Sequence, residues 1–152
     1  MRMVALSVAV VAGVTAMATM VTALAAPAVN AAPLRADHPL IGTWRIAVPE
    51  TTCTETYRIR VDGSTLVFSN EEVAESTFTV SDKPDKDGFY KQTDVIVKDN
   101  GKPDCSGAIT EPGRSVTSYL QFHPSGNLFV MCVEPNLERC IGPFLRVRGQ
   151  PI

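Results

Sequence analysis

Four cysteines, Cys53, Cys105, Cys132 and Cys140, and two histidines, His38 and His123, are the side chains best suited to bind metal or act as nucleophiles. Their spacing argues for cross-linking instead. No two cysteines form a C-x-x-C pair, and neither histidine lies near one, so no zinc ligand set is present. An even number of cysteines in a short exported chain reads as two disulfides. Four cysteines allow three connectivities. Geometry favours one of them: Cys132 and Cys140 flank "VEPNLER" and would face each other across a hairpin, which leaves Cys53 with Cys105, each in a turn-rich loop.

The remaining chemistry is thin. His38 falls in an N-terminal tail, and His123 in "FHPSGN" reads as a turn residue with no partner to make it a general base. Glu71, Glu72 and Glu75 form an acidic cluster without the spacing of a calcium loop, and read as a solvated edge or loop. No nucleophile-elbow serine or phosphate-cradling glycine loop occurs. The expectation is a protein that is not an enzyme and uses no cofactor and no metal.

The elements that must position these residues begin after a leader. Residues 1–31 open with Arg2, run through an Ala/Val-rich apolar stretch and end in small residues around proline, the layout of a signal peptide. Cleavage after Ala31 fits best, with Ala28 and Ala26 as alternatives. The competing reading is a retained anchor, because Met3 to Ala26 is long enough to span a bilayer. With the leader removed no membrane span is expected, and the location is secreted or periplasmic. Residues 32–39 form a tail and 40–152 a single domain, too short for two cores. Sixteen acidic side chains stand against 14 basic ones, one of them Arg2, so nothing electrostatic favours nucleic acid or an anionic membrane.

From Leu40 onward no helical period survives. Eight runs rich in β-branched and aromatic residues are separated by turn signals: Leu40–Val48, Thr54–Val61, Thr65–Ser69, Glu75–Ser81, Phe89–Lys98, Ser115–His123, Leu128–Val133 and Ile141–Arg148. Asp62-Gly63 and Ser125-Gly126 suit tight hairpins. Tyr57 and Ile59 alternate with Arg58 and Arg60, the mark of an antiparallel sheet wet on one face. An all-β fold is predicted, an eight-stranded antiparallel up-and-down barrel with two disulfides; a β-sandwich is the alternative. The stretch from Asp99 to Gly113 is long for a connection, so it is either a functional loop or a stapled cover over one barrel end.

Gly42-Thr43-Trp44 on the first run resembles the G-x-W signature of the lipocalin and wider calycin barrels, and "GPFLRVRG" offers Arg146 and Arg148 on the last run. The resemblance implies that Trp44 closes one end of the barrel beneath an arginine of the final strand, with Gly42 permitting a close approach. Thr93-Asp94 matches part of that group's second signature but is followed by Val95 where an aromatic is expected, and receives no role. The resemblance further implies a carrier of a small apolar or amphipathic ligand. The alternative is a protein-binding module, such as an inhibitor of an exported enzyme, with a barrel filled by its own side chains. Its contacts would be Pro49–Thr56 and the Cys105 loop, with Tyr90 and Lys102 as anchors. Either way the expected state is a monomer.

Overall fold

The computed structural model describes residues 31–149; the leader assigned to residues 1–31 lies, but for Ala31, outside them, as do residues 150–152. Eight strands follow one another in the chain: β1 (Gly42–Ala47), β2 (Thr54–Ile59), β3 (Ser64–Ser69), β4 (Glu72–Val80), β5 (Phe89–Asp99), β6 (Ser115–Phe122), β7 (Leu128–Cys132) and β8 (Cys140–Val147). Each pairs antiparallel with the next, and β8 returns to β1 through Thr43↔Val147, Trp44↔Arg146 and Arg45↔Leu145. The sheet is therefore a closed up-and-down barrel and not a sandwich, and closure leaves no free edge. No helix occurs among the described residues.

The short hairpins follow from local chemistry. Gly63 and Gly126 take positive φ where β2 turns into β3 and β6 into β7. Between β3 and β4 the turn is Asn70-Glu71, with Asn70 at φ 55°, a region asparagine tolerates better than most residues. That turn carries no glycine, and β4 starts at Glu72, three residues ahead of the run read from sequence. Glu72 is thus a buried strand residue and not part of a solvated edge, which corrects the reading of the acidic cluster; Glu71 and Glu75 are exposed.

One barrel end is packed shut. Trp44, Phe78, Leu120, Phe129 and Phe144 are fully buried there with Leu40, and Phe129 and Phe144 stack at 4.6 Å. The segment before β1 is part of this closure and not a loose tail. Leu34 N–H donates to Val61 O, and His38 is only 3% exposed. Leu40 N–H donates to His38 Nδ1, so Nε2 carries the hydrogen that meets Ser81 O at 3.2 Å. Burial lowers the His38 pKa, and the neutral ring pins the segment against Tyr90. Tyr90 accordingly faces the core and is no loop anchor.

Both disulfides stand at the opposite end. Cys53–Cys105 joins the β1–β2 connection to the long loop after β5, and Cys132–Cys140 ties paired residues of β7 and β8. Cys105 N–H donates to Ser69 Oγ, and Gly113 N–H to Ile96 O, so the loop is fastened across this end. The two bridges are compatible with a periplasmic or extracellular location.

Candidate functional site

At the closed end the arginine and the tryptophan meet. Arg146 Cζ sits 4.1 Å from the centre of the Trp44 rings, and its nitrogens donate to Gly126 O, Ile41 O and Pro39 O at 2.7–3.0 Å. The indole N–H donates to Leu40 O at 2.8 Å. Gly42 has φ 141°, and a Cβ there would lie 2.6 Å from Arg146 Nη1, so glycine is required on both counts. Arg148 does not join this stack; it is exposed and reaches Asn127 Oδ1. His123 is an exposed turn residue bonded to Ser125 Oγ.

Above this plug the barrel is hollow. A cavity of about 330 Å³ runs up from Phe129 and Phe144 to Asp104 and Thr110 of the stapled loop. Trp44 does not line it but lies beneath, edge-on to Phe129 at 4.7 Å. The phenylalanines crowd the closed end rather than filling the barrel. Phe68 lies half-buried under the Arg58 guanidinium, away from the cavity lining. Small side chains, Ala74, Ser76 and Ser118, keep the middle open.

The polar part of the wall is built by strand alternation. Glu55 and Tyr57 lie two apart on β2, and Glu55 accepts hydrogen bonds from Tyr57 Oη at 2.6 Å and Ser69 Oγ at 2.7 Å. Burial and the neighbouring Glu55 hold the tyrosine pKa well above its usual value, so it remains a donor. On β5 an extra residue, Val97, shifts the register: Ser76 faces Ile96 while Glu75 faces Lys98 and Ala74 faces Asp99. A bulge of this kind re-aims the side chains beyond it. It turns Asp99 to the inner face beside Glu72 and leaves Lys98 outside, 3.5 Å from Glu75. Burial raises the Glu72 pKa against an opposing hydrogen bond from Thr110, and the charge of Asp99, a side-chain hydrogen bond shared with it and the charge of Asp104 add to the rise.

Asp94 stands deepest among the acids, held by Ser76 Oγ at 2.7 Å. Burial pushes its carboxyl up to about 6, with the Ser76 bond pulling the other way. A carboxyl whose native pKa exceeds its unfolded value holds the proton more tightly when folded, so its contribution to stability falls as pH rises from about 4 to about 6. Above that window the cost reaches roughly 3 kcal/mol. Asp94→Asn is expected to stabilise the empty barrel by up to that amount at pH 8, with the gain shrinking towards pH 4. Denaturant midpoints at the two pH values check this; a variant less stable than the parent at pH 8 contradicts it.

Sequence reasoning missed Glu72, Asp94 and Gln92 as cavity residues. The sequence carries part of the signal: counting by twos from Tyr57 or Phe78 assigns an inner face, but this inner face is not wholly apolar. No family model, no curated protein and no solved structure matches this chain.

Proposed function

We propose that this protein is an exported, non-enzymatic carrier that holds one small amphipathic molecule inside a lipocalin-like, calycin-type barrel, and acts as a monomer. The observation that carries this reading is the cavity. Its volume of about 330 Å³ lies at the lower end of the range for small-molecule sites, roughly 300–1,000 Å³. Its wall joins an aromatic floor, Phe129 and Phe144, to carboxylates that run from Asp94 deep in the barrel to Asp104 at the mouth, which suits a molecule with an apolar body and a polar end. A wholly apolar ligand would leave those carboxylates desolvated without return. Neither histidine nor a cysteine thiol lines the space, and Ser76 is committed to Asp94, which supports binding over catalysis.

A second reading draws on a different surface. Val133, Leu137 and Ile141 are more than half exposed around the Cys132–Cys140 bridge, a rigid apolar patch of the sort that contacts a partner protein. A barrel with an empty cavity and a protein bound at this patch would be the inhibitor-like alternative.

Mass measurement separates the two. The protein is purified mildly after export from its own source and weighed native and then denatured. The expected native mass exceeds the denatured one by a single small molecule. Ala74→Phe, which places a ring in the middle of the cavity, is expected to remain folded and to lose at least about 90% of that excess, since the space is taken. A parent protein with no excess overturns the carrier reading and favours the patch; an unchanged excess in Ala74→Phe moves the guest out of the cavity.

A further inference from the structure

The fixed charges on the cavity wall have one sign. Glu55, Glu72, Asp94 and Asp104 line it, and no lysine, arginine or histidine does. The four are not equivalent. Glu55 is occupied by Tyr57 and Ser69, and Asp104 Oδ1 is occupied by Ser106 N–H, its hydroxyl and Ala108 N–H within the loop. Glu72 and Asp94 retain capacity. Asp94 has one hydrogen bond, from Ser76, and Glu72, which meets Thr110 and Asp99, keeps Oε1 without a partner.

A second observation is independent of charge. Glu72, Gln92 and Thr65 are only 5%, 5% and 4% exposed, they line the cavity, and Glu72 Oε1, Gln92 Oε1 and Thr65 Oγ1 have no hydrogen-bond partner. Buried polar atoms are seldom left in this state, because each gave up water on folding. Gln92 Oε1 is acceptor-only, and Glu72 Oε1 is so when its carboxyl is ionised, so what the site lacks is a donor. Thr65 lies across from Ser76, which bonds Asp94, so Thr65 and Asp94 belong to one deep polar station on β3, β4 and β5.

We propose that the guest is a small organic cation, an ammonium or guanidinium group on an apolar or aromatic body, with its N–H donors directed to Asp94, Gln92 and Thr65 and its body against Phe129, Phe144 and Met131. This deepens the carrier reading and rests on it. Only a cationic donor answers both the unanswered charge and the unpartnered acceptors. Charge-assisted hydrogen bonds of this kind are about twice as strong as neutral ones. Glu72 near the mouth attracts the cation on the way in or holds a second donor. The β5 bulge belongs to the same design, since without it Lys98 would face inward where Asp99 stands. A divalent metal is a poorer occupant: no group of three His, Cys, Asp or Glu among the described residues is placed to share an ion, and the facing wall is aromatic and thioether.

Titration of guest-free, refolded protein with three molecules sharing one body tests this: 2-phenylethylammonium, 2-phenylethanol and phenylacetate, followed by calorimetry at pH 7.5, with calcium chloride as a fourth titrant. The ammonium is expected to bind at least about tenfold tighter than the alcohol, and the carboxylate weakest. Asp94→Asn is expected to bring the ammonium to within about threefold of the alcohol while leaving alcohol binding in place. Glu72→Gln, a second variant, should lower ammonium affinity by a smaller factor. Alcohol or carboxylate binding as tightly as the ammonium overturns the cation assignment and leaves the carrier reading intact, as does an Asp94→Asn protein with its preference unchanged. Calcium binding that displaces the ammonium overturns it in favour of a metal. If none of the three binds, the charge of the native guest decides: a cation supports the proposal, a neutral or anionic guest overturns it, and no guest at all removes the carrier reading as well.

Discussion

Trp44→Ala is expected to lower stability by about 3–5 kcal/mol, the range for truncating a fully buried large aromatic. Three losses combine. The indole is fully buried and meets Phe129 edge-on, so a void opens under the cavity floor. Leu40 O loses its donor. Arg146 keeps its three carbonyl partners but loses the ring face beneath a partly desolvated guanidinium, whose pKa burial already lowers. Trp44→Phe separates these contributions, since it keeps a ring and removes the hydrogen bond. It should cost less, about 1–3 kcal/mol, the penalty for one unanswered buried polar group. Urea midpoints for both variants check the order. A Trp44→Ala protein unfolding at the parent midpoint would show that the closed end is not held by this plug.

Loss of the Cys53–Cys105 bridge should be nearly as damaging, and more so than loss of Cys132–Cys140. The first closes a sequence separation of 52 residues and the second one of 8. Loop-closure entropy then puts their contributions at about 4 and about 2.5 kcal/mol. Paired alanine substitutions, Cys53→Ala with Cys105→Ala and Cys132→Ala with Cys140→Ala, give the comparison without new buried hydroxyls. The first pair should have a second consequence that the other lacks. It frees the loop carrying Asp104 and Thr110, which line the cavity mouth, so any bound molecule should leave faster. Equal midpoints for the two pairs, or a first pair as stable as the parent protein, would contradict this.

Much of the barrel was legible in the amino-acid sequence because its causes are local. Alternation in Tyr57, Arg58 and Ile59 states a half-buried strand, and Gly63 and Gly126 state where hairpins turn. Cys132 and Cys140 flank one hairpin, which leaves Cys53 for Cys105, and these are the two bridges present. The hollow interior was less legible, for three physical reasons. The Asn70-Glu71 turn has no glycine, so nothing in the sequence marks Glu72 as the start of β4. A bulge at Val97 depends on pairing with β4 and leaves no mark in the strand's own composition. Asp94 and Gln92 interrupt the apolar rule for an inner face, and they do so because this interior is partly a polar cavity. The segment before β1 is equally hard to read as part of the barrel, since the neutral His38 that fastens it bonds to Ser81, distant in sequence.

A barrel that carries a guest holds it between the aromatic floor and the acidic wall. Diffraction from crystals of the protein purified mildly after export tests it most directly. Connected density is expected for one organic molecule in the cavity, within contact distance of Asp94 on one side and of Phe144 and Met131 on the other. Ordered water alone in that space, or side chains of neighbouring strands folded in to fill it, would mean that the barrel carries no guest.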